Sequence, residues 1–432
     1  MQTKKEGTAL RAAPSFHSSA AFGGCLPERI RIMNFVFISP NYPRKYWLFC
    51  DRLRKNGMNV LGIGDAPYDE LEPALKSALT EYYKVGSLED YDQVYRAVAF
   101  FAFKYGKIVW LESQNEYWLE QDARLRTDFH ITSGIQDDGI GFIKQKSLMK
   151  PIYLQAGIPT ARQHVVSTRE AGRAFIEKVG YPVVVKPDNG VGAAATWKLE
   201  NDADFDAFYN NLPGQLYVME EYVQGNICSY DAIYDSHCEP LFENMSEFPP
   251  VMDVVNSDLD LMYYARPDVD EKLRALGRRT VRAFGAARRF VHLEFFRLSK
   301  EHEGLGQAGD YVALEVNMRP AGGYSPDMMN FAHSTDVYQI YADMVAFDER
   351  RLPISPDQYY CVYASRKDGH TYGHTHREIM DRYGAQIVMQ EEMPRINWPS
   401  MGRYTYTARF KTLADVQEYI HFVLGQSFCL YR

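Results

Sequence analysis

Residues Arg289 to Pro326 constrain the fold more than any other stretch of the chain. Two strongly apolar runs, RFVHLEFFRL and YVALEVNMRP, are joined by a polar loop containing Gly304, Gly306 and Gly309, the pattern of a β-hairpin with a long turn. Strand alternation sends Val291, Leu293 and Phe295 to one face and His292, Glu294 and Phe296 to the other. On the second run Val312, Leu314 and Val316 make the apolar face. Glu315, Asn317 and, where the extended geometry continues, Arg319 are left opposite. Two carboxylates and a carboxamide then converge from neighbouring strands, with an arginine just beyond. An all-oxygen set of this kind suits a hard cation, and magnesium is usually held by one or two carboxylates together with substrate phosphates. A lone acid on a half-buried strand would read as a solvated face, because such alternation is ordinary. Acids inside strands this apolar, the second followed at once by Asn-x-Arg-Pro-Ala-Gly-Gly, read as a site.

At 432 residues the chain is long enough for about two to four domains or subdomains. Its 46% apolar and 24% charged content is that of an ordinary globular protein. A net charge of −8 argues against a nucleic-acid backbone as partner. The six cysteines are scattered without a C-x-x-C pair, fit neither a disulfide framework nor a zinc site, and imply a reducing, cytoplasmic setting. No apolar run approaches the roughly 20 residues of a membrane span. Residues 1–32 are rich in Ala, Gly, Ser and Lys, with no periodic apolar face and no signal-peptide core. They predict an unstructured extension ahead of a natural start at Met33.

From Met33 the pattern is strand (Phe35 to Ile38), helix (Tyr46, Phe49, Cys50 and Leu53, with Pro43 in its first turn) and strand (Asn59 to Ile63). A helix over Tyr91 to Tyr105 and a strand over Lys107 to Leu111 extend this to a doubly wound parallel sheet. Gly62 and Gly64 form only a bare G-x-G, a weak sign of dinucleotide binding. Lys144 and Lys146 precede a helix ending at Ala156-Gly157, in which Pro151 requires a start near Lys150 or a kink. Ser167 and Glu170 form a capping box for the next helix. A buried strand then delivers Lys186 to the loop from Asp188 to Ala195, where Gly190 and Gly192 let backbone N–H groups point at phosphate oxygens. Glu220 and Glu221 end another apolar strand before Tyr222 and Val223, either an acidic strand edge or backbone offered to a purine. Asp268 and Glu271 cap a further helix. Beyond Ala346 the strands Tyr359 to Ala364, Gln386 to Met389 and Tyr404 to Phe410, with helices His376 to Tyr383 and Leu413 to Leu424, read as a separate α+β tail. His370, His374 and His376 lie close in sequence, but Thr375 and Glu378 form a capping box. Structural or substrate-lining histidines fit better than a zinc site.

Taken in order, Lys146, Lys186 with its glycine loop, Glu220 to Val223, Glu294 and Glu315-x-Asn317-x-Arg319 resemble the ATP-grasp superfamily. Within it they resemble the carboxylate–amine ligase branch that includes carbamoyl-phosphate synthetase and biotin carboxylase. The resemblance covers about residues 33 to 350. It implies an α/β and α+β fold: a pre-ATP-grasp doubly wound domain over 33–142 and a two-lobed ATP-grasp domain over 143–350, its lid lobe at about 150–220. A C-terminal α+β domain over 351–432 follows.

The resemblance also assigns roles. Lys146 and Lys186, with Gly190 and Gly192, match the phosphate-binding groups; Glu220 and the backbone of Glu221, Tyr222 and Val223 match the adenine hinge. Glu294, Glu315 and Asn317 match the magnesium ligands, and Arg319, with Lys186, the catalytic cations at the transferring phosphoryl group. ATP and magnesium are the implied cofactors, with manganese as an alternative ion. The implied activity joins a small-molecule carboxylate to an amine or thiol through an acyl-phosphate, without nucleic acid or membrane, in a chain compatible with a homodimer. The rivals are a bicarbonate-using ATP-grasp enzyme and a non-catalytic ATP-binding regulatory module. Gln145 and Ile227 depart from the usual Asp and ribose-binding Glu, and Pro320 to Gly323 replace the run that follows the arginine in biotin carboxylases, which disfavours bicarbonate. Truncation to Met33 is expected to leave thermal stability and ATP affinity unchanged; loss of either contradicts the reading of residues 1–32.

Overall fold

The structure, a computed structural model, describes residues 33–190, 195–249 and 258–425. The expected extension over 1–32 and Gly192 lie outside the described residues. The first domain is a four-stranded parallel sheet of β1 (Asn34–Ile38), β2 (Asn59–Gly64), β3 (Glu81–Lys84) and β4 (Ile108–Glu112), in the order β3-β2-β1-β4. Every residue of β1 is buried, as a parallel strand covered on both faces requires. β3 escapes the sequence reading because EYYK is a short, half-buried edge strand without alternation. Gly62 and Gly64 serve packing: a Cβ would lie 2.8 Å from a Leu79 methyl at the first and 2.5 Å from the Tyr82 hydroxyl at the second. The chain runs outward from β1 to β3 and returns to β4 on the other side, so the crevice at the carboxyl ends of β1 and β4 is a topological switch point.

Local signals shift by small steps. The first helix is Trp47–Lys55, with Pro43 in the turn before it. The helix Lys146–Gln155 begins at Lys146 and carries Pro151 inside it, so the proline does not delay its start. Thr168, not Ser167, caps Arg169–Val179, accepting from Ala171 N; Asp270, not Asp268, caps Glu271–Ala283. The Thr375–Glu378 capping box is present.

A second, antiparallel sheet is formed by β5 (Gln163–Val165), β6 (Val183–Pro187), β7 (Trp197–Leu199) and β8 (Tyr217–Glu221), in the order β5-β8-β6-β7. The third sheet has eight antiparallel strands. Its members are β9 (Gly225–Tyr234), β10 (Pro240–Phe248), β11 (Met262–Ala265), β12 (Arg289–Leu298), β13 (Tyr311–Asn317), β14 (Tyr360–Arg366), β15 (Ile387–Glu392) and β16 (Tyr404–Phe410), ordered β13-β12-β9-β10-β11-β14-β16-β15. The elements read as a separate tail over 351–432 therefore do not make a sheet of their own. β14 pairs with β11 through Met262↔Ala364 to Ala265↔Cys361 and continues the large sheet, because β11 would otherwise expose an unpaired edge.

The hairpin forms as expected, with one correction. Glu294 pairs directly with Glu315 and His292 with Asn317, but the register then slips, so that Phe295 faces Ala313 and Leu314 is the extra residue of a β-bulge. Val312 consequently falls on the Glu294 face, in an apolar cluster with Ala161, Val223 and Leu298, while Val316 packs with Leu293 on the other. Strict alternation cannot place Val312, Leu314 and Val316 together across a bulge.

A buried ion cluster joins the first sheet to the third. Glu112, at the end of β4 and 2% exposed, lies 2.8 Å from Arg289 of β12 and 3.3 Å from Arg126. Arg289 also donates to the Met318 carbonyl at 3.0 Å, and Arg126 to the carbonyls of Leu111 and Ile135 at 2.9 and 2.8 Å. Glu112→Gln leaves two buried guanidinium groups without their carboxylate. It is expected to cost about 3–5 kcal/mol in urea unfolding; a loss below about 1 kcal/mol, the scale of an exposed pair, contradicts a role in joining the sheets.

Candidate active site

Three oxygen-bearing side chains are set by the β12–β13 register: Glu294 opposite Glu315, and Asn317 two register pairs away on the same face, opposite His292. Burial pushes the Glu315 carboxyl up; Lys146 draws it down, and the neighbouring Glu294 and Glu116 push it up again, with a raised value as the outcome. Glu294 is held low, because His292 outweighs the cost of burial, with help from Arg319. His292 is itself buried between two acids, its Nδ1 2.6 Å from Asp231 and its Nε2 3.1 Å from Glu294. Burial disfavours its charge, yet those hydrogen bonds raise it to about 9 and keep it an imidazolium. Asp231 is also satisfied by Ser229 at 2.8 Å and Asn244 at 3.0 Å. A divalent cation fits this donor set. Two facing carboxylates repel, the carboxamide adds a neutral oxygen, and a hard ion that keeps sites for water or phosphate needs no more protein ligands than these.

The lysines come from the antiparallel second sheet and the helix beside it. Lys146, the first residue of its helix, places Nζ 3.1 Å from Glu315 and 3.4 Å from the Gly190 carbonyl. That helix start is fastened to the end of β6: Lys146 N donates to the Asp188 carbonyl at 3.0 Å and Ser147 N to the Asp188 carboxylate at 2.7 Å. Lys186 lies 2.7 Å from one oxygen of Glu220, and Lys150 lies 2.8 Å from the other. Gln163 adds a hydrogen bond to Glu220 at 2.9 Å. Burial alone would raise the Glu220 carboxyl, but Lys150 and Lys186 hold it far below the usual carboxylate range. Glu221, next along the strand, points the other way and is gripped by Arg162 at 2.6 Å. Tyr222 lies under the Lys198 ammonium, 4.8 Å from ring centre to Nζ, and Val223 is buried beside Val312.

Arg319 follows β13 by two residues. Its guanidinium donates to the Pro320 carbonyl at 2.9 Å and to Glu116, which comes from the turn after β4, 203 residues earlier. Its Nε is buried and has no hydrogen-bond partner among the described residues. Buried orphan donors are rare, so a missing acceptor is expected here. The other oxygen of Glu116 is 3.3 Å from Lys144.

Lys146, Lys186, Glu220, Glu294, Glu315, Asn317 and Arg319 are thus brought together around the bulged hairpin and its facing sheet; Gly190 places its carbonyl beside Lys146, whereas Glu221 turns its carboxylate to Arg162 and donates its N–H to the Arg162 carbonyl at 3.1 Å. The sequence reading missed Lys150, Glu116, Asp231 and the bridging role of His292. Lys150 had a signal, standing one helical turn after Lys146, whereas nothing local to Glu116 points toward a residue so distant in sequence. The three C-terminal histidines have separate partners: His370 with Asp258 and Asp260, His374 stacked on Phe422, and His376 with Tyr406.

No protein-family model matches the chain. It is 22% identical over 225 residues to the L-arginine-specific L-amino acid ligase of Bacillus subtilis, a match spanning 50% of this chain and 52% of that protein. The chain spans about half the length, or less, of the curated relatives it matches. The crystal structure of an L-amino acid ligase from Bacillus licheniformis superposes with a TM-score of 0.64 at 14% identity, covering 90% of this chain and 96% of that one. The biotin carboxylase domain of a Hydrogenobacter thermophilus 2-oxoglutarate carboxylase, solved with MgADP, ADP and bicarbonate, gives 0.64 at 14% identity over 92% and 90%. Parallel first sheet, four-stranded second sheet and long antiparallel third sheet together are the ATP-grasp fold, which the chain shares with these two solved structures, a ligase and a biotin carboxylase domain.

Proposed function

We propose that this chain is an ATP-dependent ligase that joins a small carboxylic acid to an amine through an acyl-phosphate, releasing ADP and phosphate. The observation that carries the reading is the facing pair Glu294–Glu315, bordered by Lys146, Lys186 and Arg319. A carboxylate is unreactive toward an amine because its oxygen leaves poorly; transfer of the γ-phosphoryl group supplies a good leaving group. That transfer asks the protein mainly for positioning and charge stabilisation.

Each side chain has a task in this scheme. Lys146 and Lys186 exchange their internal acids, Glu315 and Glu220, for triphosphate oxygens. Lys150 stays with Glu220 and keeps it ionised when Lys186 turns to phosphate. Glu294, Glu315 and Asn317 hold magnesium, which neutralises phosphate charge when bound. Arg319 offers its unpartnered Nε–H to an oxygen of the transferring group or of the acid. Strand β6 carries Lys186, and the helix Lys146–Gln155 beside that sheet carries Lys146, toward the hairpin.

Hydroxylamine, a small strong nucleophile, is expected to replace the amine and yield the hydroxamate of whichever acid stimulates ADP release. Arg319→Ala should lower hydroxamate formation about a hundredfold while weakening ATP binding far less, and Glu315→Gln should abolish it. An acid that drives ADP release without ever giving a hydroxamate, or variants that match the wild type, contradicts the proposal.

A further inference from the structure

We infer that Glu116, a residue of the first domain, is a positioning residue for Arg319 in phosphoryl transfer; the inference rests on the ligase reading above. Glu116 opens the turn Glu116–Trp118 directly after β4, at the switch-point crevice, and Asn115 fixes that turn by accepting from Tyr117 N at 3.1 Å. Its side chain is 8% exposed. Burial alone would raise the carboxyl, but Arg319 and then Lys144 outweigh it and keep it ionised. One oxygen holds the Arg319 guanidinium and the other lies 3.3 Å from Lys144, so three segments of the chain meet at a single carboxylate.

The geometry of arginine gives this contact its consequence. A guanidinium is a rigid plane whose five donors are fixed relative to one another. In Arg319 one terminal nitrogen is tied to the Pro320 carbonyl and the other to Glu116. Two anchors fix the plane, and with it the direction of the buried, unpartnered Nε–H. With Glu116 removed, a long side chain is left with one anchor to its neighbour's carbonyl. The donor then points at the reacting oxygen only part of the time, and a misdirected donor loses most of its value in the transition state. Glu116 itself needs no contact with substrate to do this. A domain that contributes no lysine and no metal ligand therefore takes part in the chemistry.

MgADP with aluminium fluoride, a mimic of the transferring phosphoryl group, tests this without knowledge of the acid when supplied with a pool of small carboxylates. Wild-type protein should trap ADP in a slowly dissociating complex. Glu116→Gln should bind MgADP within about threefold of wild type but lose about tenfold or more in the trapped complex. Arg319→Met should lose at least as much, and adding Glu116→Gln to it should cost nothing further, because both act through one group. Losses that add in the double variant, or wild-type trapping by Glu116→Gln, overturn the inference. Failure of the wild type to trap ADP overturns the ligase reading instead, so the two failures are distinct. Should Glu116→Gln not fold, Glu116→Gln with Lys144→Met removes one buried charge of each sign and enters the same cycle.

Discussion

A single buried carboxylate, Glu112, ties the first parallel sheet to the long antiparallel one. It accepts from Arg289 of β12 and faces Arg126, and Arg289 passes the constraint on by binding the Met318 carbonyl, one residue before Arg319. Removing either partner of such a pair strands an uncompensated charge, so the geometry is all-or-none rather than graded. Glu116, four residues after Glu112, then meets the Arg319 side chain itself. Backbone and side chain of the proposed catalytic arginine are thus both referenced to one strand end, β4.

Charge at the hairpin is arranged as a set of exchangeable partners. Lys146 is matched by Glu315 and Lys186 by Glu220. In the proposed reaction a triphosphate with its metal would offer oxygens to the lysines and a cation to the carboxylates, so both sets would trade one strong partner for another. Two further residues keep the exchange local. Lys150 holds Glu220 ionised from the side away from Lys186, and the His292 imidazolium holds Glu294 against Asp231. These charges are held in place by the protein itself, which is the condition under which electrostatic stabilisation of the proposed transition state would be effective.

Much of this was legible in the sequence, and the reasons differ from residue to residue. The placement of Glu294, Glu315 and Asn317 on one face of the hairpin was readable because acids inside apolar strands violate the ordinary pattern. The helices Tyr91–Tyr105 and His376–Tyr383 were readable from periodicity and caps. Strand β10 was not: PLFENMSEF buries Asn244, Ser246 and Glu247, and a strand with polar residues inside shows no alternation. The bulge at Leu314 was invisible because an extra residue leaves composition unchanged while moving Val312 to the opposite face. The continuity of β11 with β14 was hidden by nearly a hundred intervening residues, including the whole hairpin, and only pairing reveals it. Glu116 was silent for the same reason: a contact of high sequence separation leaves no local trace.

The central claim is that the acid is activated by direct attack of its carboxylate on the γ-phosphoryl group. With the acid that stimulates ADP release labelled with oxygen-18 in its carboxylate, amide formation should deliver one labelled oxygen to each phosphate released, read by mass spectrometry of the phosphate. Phosphate that carries no label while amide accumulates contradicts the account.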